Sequence, residues 1–541
     1  MMRYWTTLLA SAFLTLALSP LRAQTVDLLA TPGEWRHDVD QSGMRILGIS
    51  SQEQVLLAGR DGRLTPTMRN VFDAGFAAFK KGDSSRAYRL MTRLHTLLQG
   101  KPVTEATEAA AAVDFKLERK IVAPGERMGV RIEYLYTLGQ PLTGKYTARV
   151  SVTTVGGGTL ETLNGLDISR QEDVHASLAT ANLKPGRYAA VCDLLGPDGT
   201  ALASATREFL VDPTVRRRVT ALRRSLERLQ QNQVSERGVA SAVAMESIEY
   251  IVETFERALS SYVGTARSFF TPMVTRLLGA SLPPGPSIDP FDIVRDLTLA
   301  EDLSAALLAK KDPLPTRTGD LHLAFRSGVD GTLQPFRAFV PAGFDPSRKY
   351  PLVIALHGSA ADENTYMDAY RSPQTGHNLL KELAQEHGYF LATPKGRDPW
   401  DFYNGNSEMD VLDVMDHMLR IYPIDAGSVF LTGHSMGGTG TWTIGFRQPQ
   451  RFRALAPVAS PFGGSPDVLA RMFVNGPAMP VLFSAGLKDT LASPETCRRI
   501  AEMAKKELKD FRYVEYPDDH FGVGVSSMKA IFDFFDGRRR E

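Results

Sequence analysis

Between about Ala112 and Val211 the chain alternates apolar and polar positions: Val130, Ile132 and Tyr134 in one run, Ala148, Val150 and Val152 in another, Tyr188, Ala190 and Cys192 in a third. A period of two puts each set on one face of a strand, and the PG, GGG and PDG turns between the runs predict a β-sandwich over residues 111–212. Upstream the period is helical. Met68, Val71, Phe72, Phe76 and Phe79, followed by Tyr88, Leu90, Met91, Leu94 and Leu97, predict two amphipathic helices joined at Lys81-Gly-Asp83 within an N-terminal helical region, residues 24–110. Downstream, Pro213 opens another helical stretch. Leu222, Leu226 and Leu229 lie at helical spacing, a second segment runs from Ala240 to Phe270, and Pro283-Pro-Gly-Pro286 breaks the region, which with its linker spans 213–315.

From residue 316 to 541 the texture changes again. LHLAFRSGVDGTLQPFRAFVP predicts two strands around an Asp330-Gly331 turn, and Lys349-Tyr-Pro-Leu-Val-Ile-Ala-Leu-His-Gly358 is a wholly apolar strand. Such strands are buried on both faces. Further apolar runs at Tyr389–Pro394, Val429–Thr432, Ala454–Val458, Val481–Ala485 and Phe511–Tyr516 alternate with helical segments, including one from about Met409 to Ile421. This predicts an α/β unit with a mostly parallel sheet and helices on both faces. The fold class is therefore multidomain.

Composition agrees with folded protein and removes some partners. Of 541 residues 43% are apolar and 23% charged, and a net charge of +1 supplies no field to gather nucleic acid. The Arg216-Arg-Arg218 and Arg223-Arg224 clusters read as a solvated helix face. The first residues, MMRYWTTLLASAFLTLALSPLRAQ, have the make-up of a secretory signal peptide with cleavage after Ala23, so export to the periplasm or beyond is expected, without stable membrane insertion afterwards. The alternative is an uncleaved anchor. The chain contains only Cys192 and Cys497, in different predicted units, so no disulfide is expected, and Cys192 reads as a small core residue.

The candidate chemistry centres on Gly433-His-Ser-Met-Gly437, which fits G-x-S-x-G. In that pattern the serine occupies a strained strand-to-helix turn, and the glycines make room for the neighbouring strand and helix. A serine hydroxyl needs a base and a carboxylate, in the chain order serine, acid, histidine. After Ser435 the chain has one histidine, His520, and Asp489 follows the preceding apolar strand. Asp489 is the expected acid, with Asp518 and Asp519 as alternatives too close to His520 in sequence to orient its ring easily. The oxyanion hole is expected from the backbone N–H groups of Met436 and Ser359. His357 reads as a residue that holds its loop. In Gly396-Arg-Asp-Pro-Trp-Asp-Phe-Tyr-Asn404, Trp400 and Tyr403 are candidate pocket residues able to stack on a sugar or phenolic ring, with core packing as the alternative. No ligand-spaced cluster of His, Cys and Asp and no phosphate-binding loop occurs in the sequence, so neither metal nor cofactor is expected.

Several segments carry resemblances. Leu183-Lys-Pro-Gly-Arg-Tyr188 resembles the turn-into-strand segment of bacterial immunoglobulin-like modules, and the helical hairpin faintly resembles one tetratricopeptide unit without a second copy. DGTLQPFRAFVP, YPLVIALHGSA, GHSMGG, GLKD and DDHFG resemble the secreted α/β-hydrolase esterases that include feruloyl and acetylxylan esterases and polyhydroxybutyrate depolymerases. The resemblance implies a serine hydrolase acting on small-molecule or polymer-linked esters. Prolyl-oligopeptidase-type peptidases share that hydrolase unit, but they add a β-propeller and tend to carry an aromatic residue where this chain has Met436. A serine peptidase or aminopeptidase is thus the alternative, and a non-catalytic binding protein on a hydrolase fold is the third. The oligomeric state is not legible.

Overall fold

A computed structural model describes residues 61–154, 157–261, 293–359, 361–397, 401–460 and 466–539, together with short stretches between 28 and 59. The candidate signal peptide, the Pro283–Pro286 break and Trp400 lie outside the described residues.

Two helices, Pro66–Lys80 and Ser84–Leu98, form the expected hairpin, each started by a side-chain cap: Thr65 accepts from Met68 N, and Asp83 from Arg86 N. A short helix, Glu105–Ala112, leads into eight strands: β1 (Val113–Leu117), β2 (Ile121–Val122), β3 (Arg127–Tyr134), β4 (Thr147–Thr154), β5 (Thr159–Asp167), β6 (Val174–Ala179), β7 (Gly186–Leu195) and β8 (Ala201–Val211). They form one sheet of order β1-β3-β6 and another of order β2-β8-β7-β4-β5. Alternate residues of β4 and β7 are buried, and these join Phe115, Val130 and Ile132 of the smaller sheet in one core that also takes in the helical hairpin. The period-two pattern is thus realised as two sheets with their apolar faces inward.

The remaining strands are β9 (Gly319–Arg326), β10 (Leu333–Val340), β11 (Tyr350–Leu356), β12 (Phe390–Pro394), β13 (Ile424–His434), β14 (Ala454–Val458), β15 (Val481–Gly486) and β16 (Phe511–Tyr516). They make a mixed eight-stranded sheet of order β16-β15-β14-β13-β11-β12-β10-β9, antiparallel at β9/β10 and β10/β12 and parallel elsewhere. Because helices cover both faces, β11, β12 and β14 are buried almost throughout. From β11 the chain goes first to β12 on one side and then to β13 on the other. The carboxyl ends of β11 and β13 therefore flank a topological switch point, where loops diverge and leave a crevice.

The helices Val215–Gln231, Val239–Ser260 and Ile293–Leu308 share one continuous core with this sheet. The helix Val239–Ser260 also covers the edge strand: Ser247 Oγ accepts from Ala324 N at 2.9 Å and Glu246 Oε2 from Arg326 N at 3.1 Å. Those two amides of β9 would otherwise be open for edge-to-edge pairing. The arginine clusters pair with neighbouring elements, Arg218 with Glu301, Arg223 with Glu256 and Arg216 with Glu126. Cys192 and Cys497 are both free and buried, in different cores.

Candidate active site

Ser435 sits where β13 ends and the helix Met436–Arg447 begins, with φ 59° and ψ −115°. A non-glycine residue is held in such a conformation only when its surroundings over-determine it. Here they do. A Cβ added to Gly437 would lie 2.0 Å from Leu356 O, one on Gly433 2.3 Å from Gly437 O, and one on Gly438 2.6 Å from Val458 O. Strand β11, the turn and strand β14 therefore pack backbone to backbone, and Ser435 N donates to Val458 O at 2.9 Å. The side chain of Ser435 is left half-buried at the switch point.

Asp489 and His520 follow β15 and β16, also at carboxyl ends. His520 Nδ1 lies 2.8 Å from Asp489 Oδ2, and both residues are buried. The other oxygen of Asp489 accepts from Leu491 N at 2.8 Å and Ala492 N at 2.7 Å, so the carboxylate is fixed by its own loop. The two loops pass so closely that a Cβ on Gly486 would meet Asp518 O at 2.6 Å. Asp519 instead receives Phe521 N and Gly522 N, and the main-chain oxygen of Asp518 receives Lys488 N. Both aspartates next to His520 serve the turn, while Asp489 meets the ring.

The base loop is tied to the nucleophile turn through His434, a residue that the sequence reading passed over. Its Nε2 is 2.6 Å from the main-chain oxygen of His520, and the two imidazoles are 4.7 Å apart between centroids. Burial, reinforced by His520 alongside, pushes the His434 imidazole down to about 3. Its ring is therefore neutral, with the hydrogen on Nε2. The available signal was a polar residue closing an otherwise apolar strand, at a position of G-x-S-x-G that admits any side chain.

The loop after β11 approaches from the other side. A Cβ on Gly358 would lie 3.4 Å from Ser435 Cβ, so the Gly358–Ser359 backbone passes beside the serine. Met436 opens its helix, where the first amides have no intrahelical acceptor. His357 is buried with its ring between the carbonyls of Gly358 and Lys395. Tyr403 corrects an expectation. It is fully buried and offers no surface to a ligand: its ring fills the space beside Gly396 and Gly440, and its hydroxyl donates to His357 O at 3.3 Å. Tyr403 and its neighbour Phe402 both hold positive φ, 58° and 54°. That backbone turns the tyrosine inward, which period and composition do not reveal. Among the described residues, no group of three or more His, Cys, Asp or Glu side chains is arranged to hold a metal ion.

This geometry can be compared with known proteins. The chain is 28% identical over 140 residues to a bifunctional acetylxylan esterase/xylanase of Neocallimastix patriciarum, covering 25% of this chain and 19% of the relative. It is 28% identical over 149 residues to a probable feruloyl esterase C of Aspergillus terreus, covering 26% of this chain and 54% of the relative. The chain is similar to esterases of the α/β-hydrolase group. The shared part of the chain spans about a fifth and about half of these two relatives. A solved thermostable esterase overlaps 79% of this chain and 99% of its own at 17% identity, with a TM-score of 0.35. No family model matches the chain.

Proposed function

We propose that the chain is a serine hydrolase that cleaves carboxylic esters through an acyl-enzyme on Ser435, with His520 as base and Asp489 as the acid that orients it. The observation that carries this reading is the 2.8 Å contact between His520 Nδ1 and Asp489 Oδ2, tied through His434 to a positive-φ serine turn. With Nδ1 engaged by the carboxylate, Nε2 is the ring nitrogen left for proton transfer. Ser435 Oγ bonds to the ester carbonyl carbon as His520 Nε2 takes its proton. The carbonyl oxygen, now an oxyanion, is met by the amides of Met436 and Ser359. The alcohol leaves with the proton returned from His520, and water repeats the sequence to release the acid.

The similarity to acetylxylan and feruloyl esterases favours small acyl or phenolic acyl groups carried on a sugar alcohol, as free small molecules or on a polymer. Export behind the Ala23 cleavage site suits such a substrate, and no helix among the described residues is long and apolar enough to cross a membrane. The upstream units, 24–110, 111–212 and 213–315, are proposed to carry and brace the 316–541 unit rather than take part in its chemistry.

The test is a panel of p-nitrophenyl acetate, methyl ferulate, acetylated xylan and chromogenic Xaa-Pro and Ala peptides, read as kcat/KM. Ester cleavage without amide cleavage supports the reading. Amide cleavage that depends on Ser435 would replace it with the peptidase alternative.

A further inference from the structure

A buried ionic chain joins the helix that follows β11 to the upstream helices. His322, on β9, is 2% exposed. Its Nδ1 is 3.0 Å from Asp296 Oδ2 on the helix Ile293–Leu308, and its Nε2 is 3.1 Å from Glu363 Oε1, the first residue of the helix Glu363–Ala369. An imidazole that faces a carboxylate on each nitrogen satisfies both only as the imidazolium, donating twice. Glu363 is four residues beyond Ser359 in the chain; Ala361 N donates to Gly358 O at 3.3 Å, and Asp362 Oδ1 caps Asn364 N and Thr365 N.

We propose that His322 is a positioning residue: clasped between Asp296 and Glu363, it ties the upstream helical layer to the turn that presents the Ser359 amide. The inference rests on the ester-hydrolase reading above, which gives that amide its role.

The groups around His322 make Glu363 the dependent partner. Asp296 keeps a second cation, since Arg295 Nε donates to its Oδ1 at 2.6 Å. Among the described residues, the other donors to Glu363 Oε1 are neutral, Asn364 Nδ2 at 3.2 Å and the Tyr250 hydroxyl at 3.4 Å, while Lys395 acts on Glu363 electrostatically. Asp362 stands on the same turn and is pushed up by burial and by the Glu363 charge. Arg337 and Asp320, on β10 and β9, act on Arg295. Burial alone would lower the His322 imidazole, but Asp296 and Glu363 outweigh it and raise it above its ordinary value. Glu363, against the same burial, is held down at about 2, with His322 as the leading cause. Once pH rises through the raised value at which His322 loses its proton, Glu363 is a buried carboxylate beside a neutral ring, a costly arrangement that loosening of the turn relieves.

The experiment compares full-length wild type, His322→Gln and Glu363→Gln by amide hydrogen exchange of peptides covering 357–369 at about pH 6 and about pH 9.5, corrected for intrinsic rates, with kcat and KM on p-nitrophenyl acetate measured in parallel. The wild type is expected to lose protection in 357–369 at the higher pH and to lose kcat with little change in KM. Both variants are expected to show that loss already at the lower pH, with kcat down about 10- to 100-fold, the size of a misplaced catalytic group. Wild-type protection and a wild-type pH profile in both variants would overturn the proposal. If no ester is cleaved by any form while protection changes as stated, the ester reading fails and the clasp stands. Intact hydrolysis with unchanged protection sinks the clasp alone.

Discussion

His434 Nε2 donates to the main-chain oxygen of His520 across 2.6 Å, so the residue before the proposed nucleophile holds the backbone of the proposed base. The nucleophile turn follows β13 and the base loop follows β16, three places away in the sheet, and this bond fixes their separation. His434→Phe leaves the carbonyl of His520 buried without that donor, at a cost of about 1–3 kcal/mol. We predict that kcat falls about 10- to 100-fold with KM changed little, since the loss is of geometry at the reacting centre. His434→Gln, which can still donate, should recover part of kcat. Equal kcat in wild type and His434→Phe would show that the bond positions nothing.

Asp489→Asn tests the orientation of His520. Asp489 Oδ1 already accepts from Leu491 N and Ala492 N, so the amide oxygen of an asparagine stays with them and its NH2 turns to His520 Nδ1. The ring must then carry its hydrogen on Nε2, the nitrogen required as base. Turnover should drop on the order of 1,000- to 10,000-fold with the fold intact by circular dichroism. A drop of less than about 10-fold would remove Asp489 from the mechanism.

Gly437→Ala tests the packing that makes the turn. Its Cβ would lie 2.0 Å from Leu356 O and 2.7 Å from His357 O, both backbone atoms with no room to yield. The loss should be on the order of 3 kcal/mol or more, seen as a fall in Tm or as insoluble protein. A variant with unchanged Tm would contradict the backbone-to-backbone contact of β11 with the turn.

The ionic clasp also sets a pH window for stability. The His322 imidazole is raised above 6.5, so its contribution is complete below about that pH and is lost as pH rises through the raised value. The Glu363 carboxyl is lowered from 4.5 to about 2, so its contribution is present above about pH 4.5 and is lost as pH falls toward 2. The difference in Tm between wild type and His322→Gln should therefore be largest between about pH 4.5 and 6.5 and shrink on either side. A difference that is constant with pH would show that His322 acts by packing alone.

Much of the arrangement was legible because it is written in local pattern. Gly433, Ser435 and Gly437 announce the turn by spacing, and the apolar runs that became β11, β13 and β15 fix where their loops emerge. Asp489 and His520 follow from chain order, and their contact is one that loops at adjacent carboxyl ends can make. What was not legible depends on which surfaces meet. Tyr403 lies in a stretch that reads either as a pocket wall or as core packing, and its positive φ, with the space left by Gly396 and Gly440, turns it inward. His322 occupies an ordinary position on an apolar strand, and its partners stand 26 positions upstream and 41 downstream, on elements whose packing no periodicity encodes. His434 was hidden by a motif position that admits any residue.

The most direct measurement is the fate of Ser435 during turnover. Purified protein and its Ser435→Ala variant would be mixed with p-nitrophenyl acetate, with the nitrophenol burst followed by stopped flow and the quenched protein weighed intact. A burst approaching one equivalent per chain, an acetyl adduct mapped to Ser435, and a loss of about 1,000-fold or more in Ser435→Ala are the expected results. Steady ester cleavage by Ser435→Ala at the wild-type rate, or an adduct on another residue, would contradict nucleophilic catalysis at Ser435.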